Sequence, residues 1–190
     1  MLYAVRYQGE FPGRREELAF QRALAEELLR WALWEERGLK LSSLTLLRTP
    51  RGKPFFRGAG VHFSQSHCRG LVCCGLSSLP VGVDAEGPRP YKEALARRVC
   101  TGEELDWLSS REDRAAAFLT LWTLKESLVK LSGEGLSRGL KGAAFTFPEG
   151  EPRCRQPGVV LSRFSLPGGY VVSAAGGERF PEVRMVDLSK

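Results

Sequence analysis

The 190-residue sequence is poor in cysteine and contains no long apolar run. Its five cysteines are an odd number and no two have C-x-x-C spacing, so neither a disulfide framework nor a zinc knuckle is predicted. No apolar stretch approaches the ~18 residues that a membrane-spanning helix needs. Arg6 and Tyr7 interrupt the first apolar stretch too early for a signal peptide. We therefore expect a cytoplasmic protein that does not associate with membranes.

Sequence motifs of several common enzyme classes are missing as well. The chain has no G-x-x-x-x-G-K-[ST] and no G-x-G-x-x-G after a predicted strand, which excludes a P-loop and a Rossmann-type phosphate turn. Ser66 and His67 are adjacent and no nucleophile elbow is present, so serine-hydrolase chemistry is not expected.

The charge balance is basic. Lys and Arg total 28 against 22 Asp and Glu, a formal charge of +6, in a composition of 43% hydrophobic and 26% charged residues that is ordinary for a globular protein. This length suits one domain or two small halves that share an interface. The surplus favours an anionic partner, which could be nucleic acid, a phosphorylated small molecule or an acidic protein. Simple solubility explains it equally well.

Two long stretches have helical periodicity. Residues 16–37 carry large apolar side chains at steps of four, four and three, which predicts one buried face formed by Phe20, Leu24, Leu28 and Trp31. The second helix is predicted over residues 111–131, before a glycine-rich loop that includes Gly135. Thr101 and Glu104 have the spacing of a capping box, which predicts the start of a shorter helix.

Short apolar or alternating segments predict strands on both sides of a proline-rich break. They cover residues 2–7, 44–47, 70–76, 80–84, 143–147, 159–164, 170–174 and 183–186. Pro88 and Pro90 mark the expected boundary between an N-terminal half, residues 1–87, and a C-terminal half, residues 88–190. Each half would combine a long helix with short strands, which is an α+β architecture.

Two carboxylates end a predicted strand in the segment G-V-D-A-E, residues 82–86. Because residues i and i+2 of a strand point to the same face, Asp84 and Glu86 would stand side by side. Two carboxylates repel each other unless a cation lies between them, and hard oxygen donors of this kind suit Mg²⁺. On this segment alone, a solvated strand end is the more common meaning of so short a pattern.

A third carboxylate and a lysine lie on the second long helix, in W-T-L-K-E-S-L-V-K. At about 3.6 residues per turn, Trp122, Glu126 and Lys130 fall on one stripe. Glu126 would be a third metal ligand, with Lys130 close to a metal-bound anion. The alternative is an ordinary surface Glu–Lys pair. However, apolar residues surround most of this helix, so its charges need partners or a cleft.

A further polar group precedes these motifs. In Gly52-Lys53-Pro54 the glycine and proline fix a turn from which Lys53 can reach a phosphate. Ser66 and His67 precede a buried strand, where backbone N–H groups and an imidazole can bind an anion. A purely structural histidine is an equally good interpretation of His67.

In this order, G-K-P, S-x-S-H, G-V-D-x-E and W-x-x-K-E-S-x-x-K resemble the motifs of the 4'-phosphopantetheinyl transferases. The resemblance is to the larger class, which activates polyketide and nonribosomal peptide synthetases. It covers about residues 48–131 and is most specific in the last two motifs. Ala85 stands where the family commonly has a bulky aliphatic residue, and Ser64 and Gln65 replace the commoner Asn and aliphatic residue.

The resemblance implies a pseudo-twofold fold of two similar α+β halves with coenzyme A between them. It implies transfer of 4'-phosphopantetheine to a serine of an apo acyl or peptidyl carrier protein, with release of 3',5'-ADP. It places Mg²⁺ on Asp84, Glu86 and Glu126. Glu126 would also take the serine proton, and Lys130 would stabilise or protonate the leaving phosphate. The residues that it places near coenzyme A phosphates are Arg48, Lys53, Ser66, His67 and Lys125.

Two other functions fit part of the pattern. A metal-dependent nuclease would also use D-x-E with a distant Glu and Lys, but basic residues are scattered along the chain and Lys53 and His67 would have no role. A non-catalytic coenzyme A-binding protein is the other alternative, although all the proposed ligands are present. The two-half architecture predicts a monomer. The basic charge suits a phosphate-rich substrate and an acidic protein partner, so no nucleic-acid partner is expected.

Overall fold

The computed structural model describes residues 1–133 and 139–188, and two stacked sheets form the centre of the fold. In chain order the elements are β1 (Leu2–Arg6), α1 (Arg14–Arg37), β2 (Leu46–Arg48), β3 (Pro54–Phe56), β4 (His62–Cys68), β5 (Leu71–Ser77), β6 (Val81–Glu86), α2 (Glu93–Val99), α3 (Gly102–Ser109), α4 (Arg114–Ser132), β7 (Phe145–Thr146), β8 (Arg153–Cys154), β9 (Val160–Leu166), β10 (Tyr170–Gly176) and β11 (Val183–Met185).

The first sheet has the strand order β11-β1-β5-β4, in which β11 runs parallel to β1 and the other pairs are antiparallel. The second sheet has the order β6-β10-β9 and is antiparallel. Two small hairpin-like pairs, β2 with β3 and β7 with β8, lie outside these sheets. The combination confirms the predicted α+β class.

Side-chain alternation along the strands places the two sheets face to face. Leu2 and Ala4 of β1 pack with Val81 and Val83 of β6 in a core between the sheets. Tyr3 points the other way and packs against α1, while α4 covers the far side of the second sheet. The layers are therefore α1, first sheet, second sheet and α4, and the central strands β5 and β10 are buried on both faces.

The first long helix is confirmed, and so is most of its predicted buried face, since Leu28 is buried and Leu24 and Trp31 pack against the same core. Phe20 is 40% exposed, and the buried residues are Glu17, Gln21, Ala25, Leu28, Leu29, Ala32 and Leu33. Gln21 is fully buried and donates to the Tyr7 hydroxyl and the Cys68 carbonyl. Hydrogen bonding, which hydrophobic periodicity does not capture, turns this polar residue inward.

Each sheet takes strands from both sides of the boundary expected at residues 87 and 88. β6 precedes that point and pairs with β10, whereas β11 follows it and pairs with β1. The N-terminal half thus contributes β6 to the second sheet, and the C-terminal half contributes β11 to the first sheet, which links the two sheets. Gly135, predicted in the loop after α4, lies outside the described residues.

Across the described residues, no helix is long and apolar enough to cross a membrane.

Candidate active site

The site forms where β6 lies directly against the backbone of α4. A Cβ atom added at Gly82 would come within 3.0 Å of backbone atoms of Ser127, Lys130 and Leu131, so only glycine fits. Asp84 and Glu86 are two and four residues further along β6 and share this face. The glycine therefore brings the two carboxylates next to the helix that carries Glu126 and Lys130.

Replacing Gly82 by alanine is expected to cost about 3 kcal/mol of unfolding free energy or more, because the added methyl group meets backbone that cannot move aside easily. Urea unfolding measures the loss. Gly102→Ala is the matched control: a Cβ atom added at Gly102 would have nothing within 4 Å, and the residue lies in α3, where alanine is neutral or stabilising. Equal unfolding free energies of the two variants would contradict the close packing of β6 on α4.

Asp84, Ser66 and Lys130 form the centre of the site. The Lys130 ammonium lies 2.7 Å from Asp84 Oδ1 and donates to Ser66 Oγ at 3.0 Å. The Ser66 hydroxyl in turn donates to Asp84 Oδ1 at 2.8 Å. Asp84 is only 5% exposed. Its buried charge is compensated by the lysine on α4 and the hydroxyl on β4.

Two serines of β4 hold β6 in register beside the first sheet. Ser64 Oγ accepts from the backbone N–H of Val83 at 2.9 Å, and Ser66 Oγ accepts from that of Ala85 at 3.2 Å. Because the two serines and the two amides are each two residues apart, β4 supports β6 on both sides of Asp84. Ser64, one of the departures from the family pattern, thus has a defined structural partner.

The predicted helix stripe faces β6. Trp122 lies near enough to Glu86 to oppose the rise in the pKa of its carboxyl group. Glu126 follows one turn along α4, and one turn later the Lys130 ammonium contacts Asp84. Arg89 stacks on the Trp122 ring at 4.7 Å from its centroid and lies 3.7 Å from Glu86 Oε1. Sequence reasoning missed Arg89, whose only signal is its position three residues after Glu86, between two prolines.

The electrostatics of the site disfavour three ionised carboxylates. Burial, with the Asp84 charge, raises the pKa of Glu126 above its ordinary value. Burial also raises the pKa of Glu86, although Arg89 opposes the shift. Asp84 Oδ2 is buried and has no hydrogen-bond partner among the described residues. A cation beside these carboxylates would lower the raised pKa values of Glu86 and Glu126 and give Asp84 Oδ2 a partner.

In the present arrangement, no three His, Cys, Asp or Glu side chains among residues 1–133 and 139–188 converge closely enough to hold a metal ion. The Lys130 ammonium occupies one oxygen of Asp84, which leaves Oδ2 as the open donor. The donor chemistry therefore suits Mg²⁺, which commonly takes one or two protein carboxylates and completes its shell with water and phosphate oxygens.

Two grooves meet at His67. The first, which we call the lysine groove, has a volume of about 810 Å³ and is lined by residues that include Arg48, Lys53, Glu126 and Lys130. The second, the arginine groove, has a volume of about 710 Å³ and is lined by residues that include Arg14, Arg69, Glu86 and Arg89. His67 lines both, and burial together with Lys130 lowers the pKa of its imidazole. The candidate site can therefore be approached from two directions.

A family model described as the 4'-phosphopantetheinyl transferase superfamily matches residues 80–175, which contain β6, α4 and the Asp84, Glu86, Glu126 and Lys130 side chains. The chain belongs to this superfamily. The resemblance inferred from the motifs is therefore confirmed.

Several transferases of this superfamily are similar to the chain. The 4'-phosphopantetheinyl transferase psf-1 of Bacillus pumilus is 32% identical over 160 residues, 77% of this chain and 66% of psf-1. The transferase Sfp of Bacillus subtilis strain 168 is 30% identical over 125 residues, 64% of this chain and 56% of Sfp. The chain thus spans between about half and two thirds of the length of the curated relatives it matches. The holo-[acyl-carrier-protein] synthase of Thermotoga maritima aligns with a TM-score of 0.46 and 20% identity, over 54% of this chain and 65% of that one.

The structure brings together most of the residues predicted from the phosphopantetheinyl transferase motifs. Those that line the two grooves or lie beside their junction are Ser66, His67, Asp84, Glu86, Glu126 and Lys130. Lys53 lies in the lysine groove, but its ammonium donates to the carbonyls of Leu131 at 2.8 Å and Val81 at 3.2 Å, which anchors the end of α4 to β6. Arg48 is exposed in the same groove and donates to the Gly52 carbonyl at 2.9 Å.

Lys125 is the exception, and the expectation that it binds phosphate is corrected by its position. Its side chain is fully buried and lies 2.7 Å from Glu104 of α3. It also donates to the carbonyls of Ala143 and Leu140 at 2.8 and 3.1 Å. One residue along a helix is a rotation of about 100°, so the neighbour of Glu126 points into the core behind α4.

Proposed function

We propose that the chain transfers the 4'-phosphopantetheine arm of coenzyme A to a serine of an apo acyl or peptidyl carrier protein, releasing 3',5'-ADP, in an Mg²⁺-dependent reaction. The observation that carries the proposal is the Asp84–Ser66–Lys130 cluster beside Glu86 and Glu126, at the junction of two grooves. Such a cluster supplies carboxylates for a metal, a cation for a leaving phosphate, and separate approaches for donor and acceptor.

The lysine groove is the proposed coenzyme A site. Arg48 and Lys53 line it and supply positive charge for phosphate groups, with Arg48 exposed at its surface. His67 and Lys130 line the same groove, and Ser66 lies beside them, hydrogen-bonded to Lys130 and Asp84. Coenzyme A bound along the lysine groove would present its pyrophosphate to Lys130.

Asp84, Glu86 and Glu126 are the proposed holders of Mg²⁺. When bound there, the ion would neutralise charge on the pyrophosphate as the phosphoanhydride bond breaks. The unpartnered Oδ2 of Asp84 and the raised pKa values of Glu86 and Glu126 support this assignment, because a cation would stabilise all three carboxylates in their ionised form.

Glu126 and Lys130 are the proposed catalytic residues. The serine oxygen would form a bond to the phosphorus that carries the pantetheine arm, and the bond from that phosphorus to the 3',5'-ADP oxygen would break. Glu126 would accept the serine proton, directly or through water. Lys130, held by Asp84 and Ser66, would stabilise or protonate the leaving phosphate.

Incubation of the protein with Mg²⁺, coenzyme A and a panel of apo carrier proteins, followed by mass spectrometry of each carrier, tests the function. We expect at least one carrier to gain the mass of one phosphopantetheine, and the gain to disappear with EDTA. No gain on any carrier would contradict the proposal. Coenzyme A binding without transfer would then indicate a non-catalytic binding protein, and cleavage of DNA with Mg²⁺ or Mn²⁺ would indicate a nuclease.

We further propose that the protein acts as a cytoplasmic monomer in fatty acid, polyketide or nonribosomal peptide synthesis, without a nucleic-acid or membrane partner. All three hydrophobic clusters of the core are formed by elements of this one chain, which supports a monomer. Analytical ultracentrifugation tests that expectation.

A further inference from the structure

Each of the two carboxylates of β6 lies beside a cationic side chain from another segment. Lys130 of α4 contacts Asp84 at 2.7 Å, and Arg89, which follows β6, lies 3.7 Å from Glu86. A metal cation held by the same carboxylates would come close to both positive side chains, and like charges repel at such distances. The proposed reaction uses Lys130 but gives Arg89 no role.

We infer that Arg89 is a displaceable counter-ion of Glu86: its guanidinium competes with Mg²⁺ for this carboxylate and leaves it when the ion binds. This inference rests on the proposed transferase function and on its metal site. It adds to that proposal a side chain that sets how tightly the site binds its metal.

The contact between Arg89 and Glu86 is a weak one. Its 3.7 Å separation is longer than a hydrogen bond, and the two side chains are 34% and 24% exposed. Nε and Nη2 of Arg89 are buried and have no hydrogen-bond partner among the described residues, which disfavours this position of the guanidinium. Lys130, by contrast, has short contacts with both Asp84 and Ser66. Of the two cations, Arg89 is therefore the one that a metal displaces at the lower cost.

The sequence around Arg89 holds its backbone while leaving its side chain able to move. Pro88 and Pro90 flank the residue; proline fixes its own φ and restricts the residue before it to extended conformations. The Arg89 side chain lines the arginine groove, so it borders an opening of about 710 Å³. Displacement then requires only side-chain rotation into this groove.

Trp122 makes the displacement observable. The Arg89 guanidinium lies over the Trp122 ring, 4.7 Å from its centroid, in a cation–π contact. Loss of a charge from the face of an indole alters its fluorescence. Arg111 provides a matched control, because it lies 5.0 Å from the centroid of the Trp107 ring and its Nε is likewise buried without a hydrogen-bond partner among the described residues. Arg111 is not among the described residues that line either groove.

The variant Arg89→Gln tests the inference, since glutamine removes the charge and keeps a polar side chain. Calorimetric titration with Mg²⁺, in the presence of coenzyme A and without a carrier, measures metal binding while no transfer occurs. We expect Arg89→Gln to lower the Kd for Mg²⁺ about two- to fivefold, the effect of removing a competing, partly exposed ion pair. Arg111→Gln should keep the wild-type Kd.

Tryptophan fluorescence gives a second readout in the same titration. In the wild type, Mg²⁺ should change the emission with the Kd found by calorimetry. The change should largely disappear in Arg89→Gln, which has no stacked charge to lose, and in Trp122→Phe, which lacks the indole that reports it. Arg111→Gln should retain it. Arg89→Lys keeps the charge, so its Kd for Mg²⁺ should stay within about twofold of the wild-type value.

The possible failures are distinguishable. If the wild type modifies no carrier, the proposed function is overturned and this inference with it. If the wild type modifies a carrier but does not bind Mg²⁺, or if Arg89→Gln binds Mg²⁺ no more tightly than the wild type, this inference is overturned while transfer stands. A weaker affinity in Arg89→Gln would make Arg89 a support of the metal site and not a competitor. An equal gain in affinity in Arg111→Gln would also overturn the inference, because net charge alone would then explain it.

Discussion

Glu126→Gln is expected to lower kcat for carrier modification by about 10²–10³-fold, the range expected when a positioned general base is lost. Glutamine has the shape of glutamate but neither accepts a proton nor contributes a negative charge to a metal site. No hydrogen bond or ion pair of the Glu126 carboxylate occurs within the described residues, and α4 holds the side chain between Trp122 and Lys130. Single-turnover measurements with saturating coenzyme A isolate the transfer step.

Stability distinguishes this loss of activity from unfolding. The folded-state pKa of Glu126 is raised, so the folded protein binds more protons than the unfolded chain between about pH 4.5 and that raised value. The contribution of Glu126 to stability therefore falls as the pH rises through this window. Without Mg²⁺, the Tm of Glu126→Gln should equal or exceed that of the wild type at neutral pH, and the gain should vanish below about pH 4.5.

Glu112→Gln is the control for loss of a negative charge near α4. Glu112 is exposed, lies two residues before α4 and lines neither groove. Its replacement should leave kcat unchanged. Retention of more than about a tenth of wild-type activity by Glu126→Gln would contradict a role for Glu126 as base or metal ligand.

Local periodicity was sufficient to predict which side chains of β6 and α4 share a face at the candidate site. A repeat of two placed Asp84 and Glu86 on one face of β6, and a repeat of 3.6 placed Glu126 and Lys130 on one stripe of α4. The capping box of Thr101 and Glu104 is present in the structure as predicted. Each of these features depends on residues within a few positions of one another.

Features that depend on distant residues were not predictable in the same way. The pairing of β6 with β10 and of β11 with β1 joins segments about 90 and 180 residues apart, and no local pattern encodes such partners. Gln21 is buried through bonds to Tyr7 and Cys68, so apolar periodicity did not predict that this residue belongs to the buried face of α1. Lys125 was misassigned for the same reason, because its partner Glu104 lies 21 residues earlier.

Lys125→Met is expected to lower the unfolding free energy by about 3–5 kcal/mol, since it removes one partner of a buried ion pair. The three protons of the Lys125 ammonium have acceptors in Glu104 Oε1 and the carbonyls of Leu140 and Ala143. Methionine fills similar space but leaves those acceptors unpaired. Arg155→Met is the matched control: Arg155 pairs with Glu103, the neighbour of Glu104, at 2.8 Å, but both side chains are about half exposed. Its loss should cost about 0–1 kcal/mol in the same urea titration.

Adding Glu104→Gln to Lys125→Met separates the cost of an uncompensated charge from that of lost packing. Glu104 also accepts from the backbone N–H groups of Thr101 at 2.7 Å and Phe145 at 3.0 Å. The glutamine carbonyl oxygen can keep one of these bonds while the buried negative charge disappears. If the charge dominates, the double variant should be more stable than Lys125→Met alone, even though it carries a second core substitution. A double variant less stable than the single one would instead assign the loss to packing and to the carbonyls that Lys125 satisfies, and would leave the negative charge of Glu104 a minor factor.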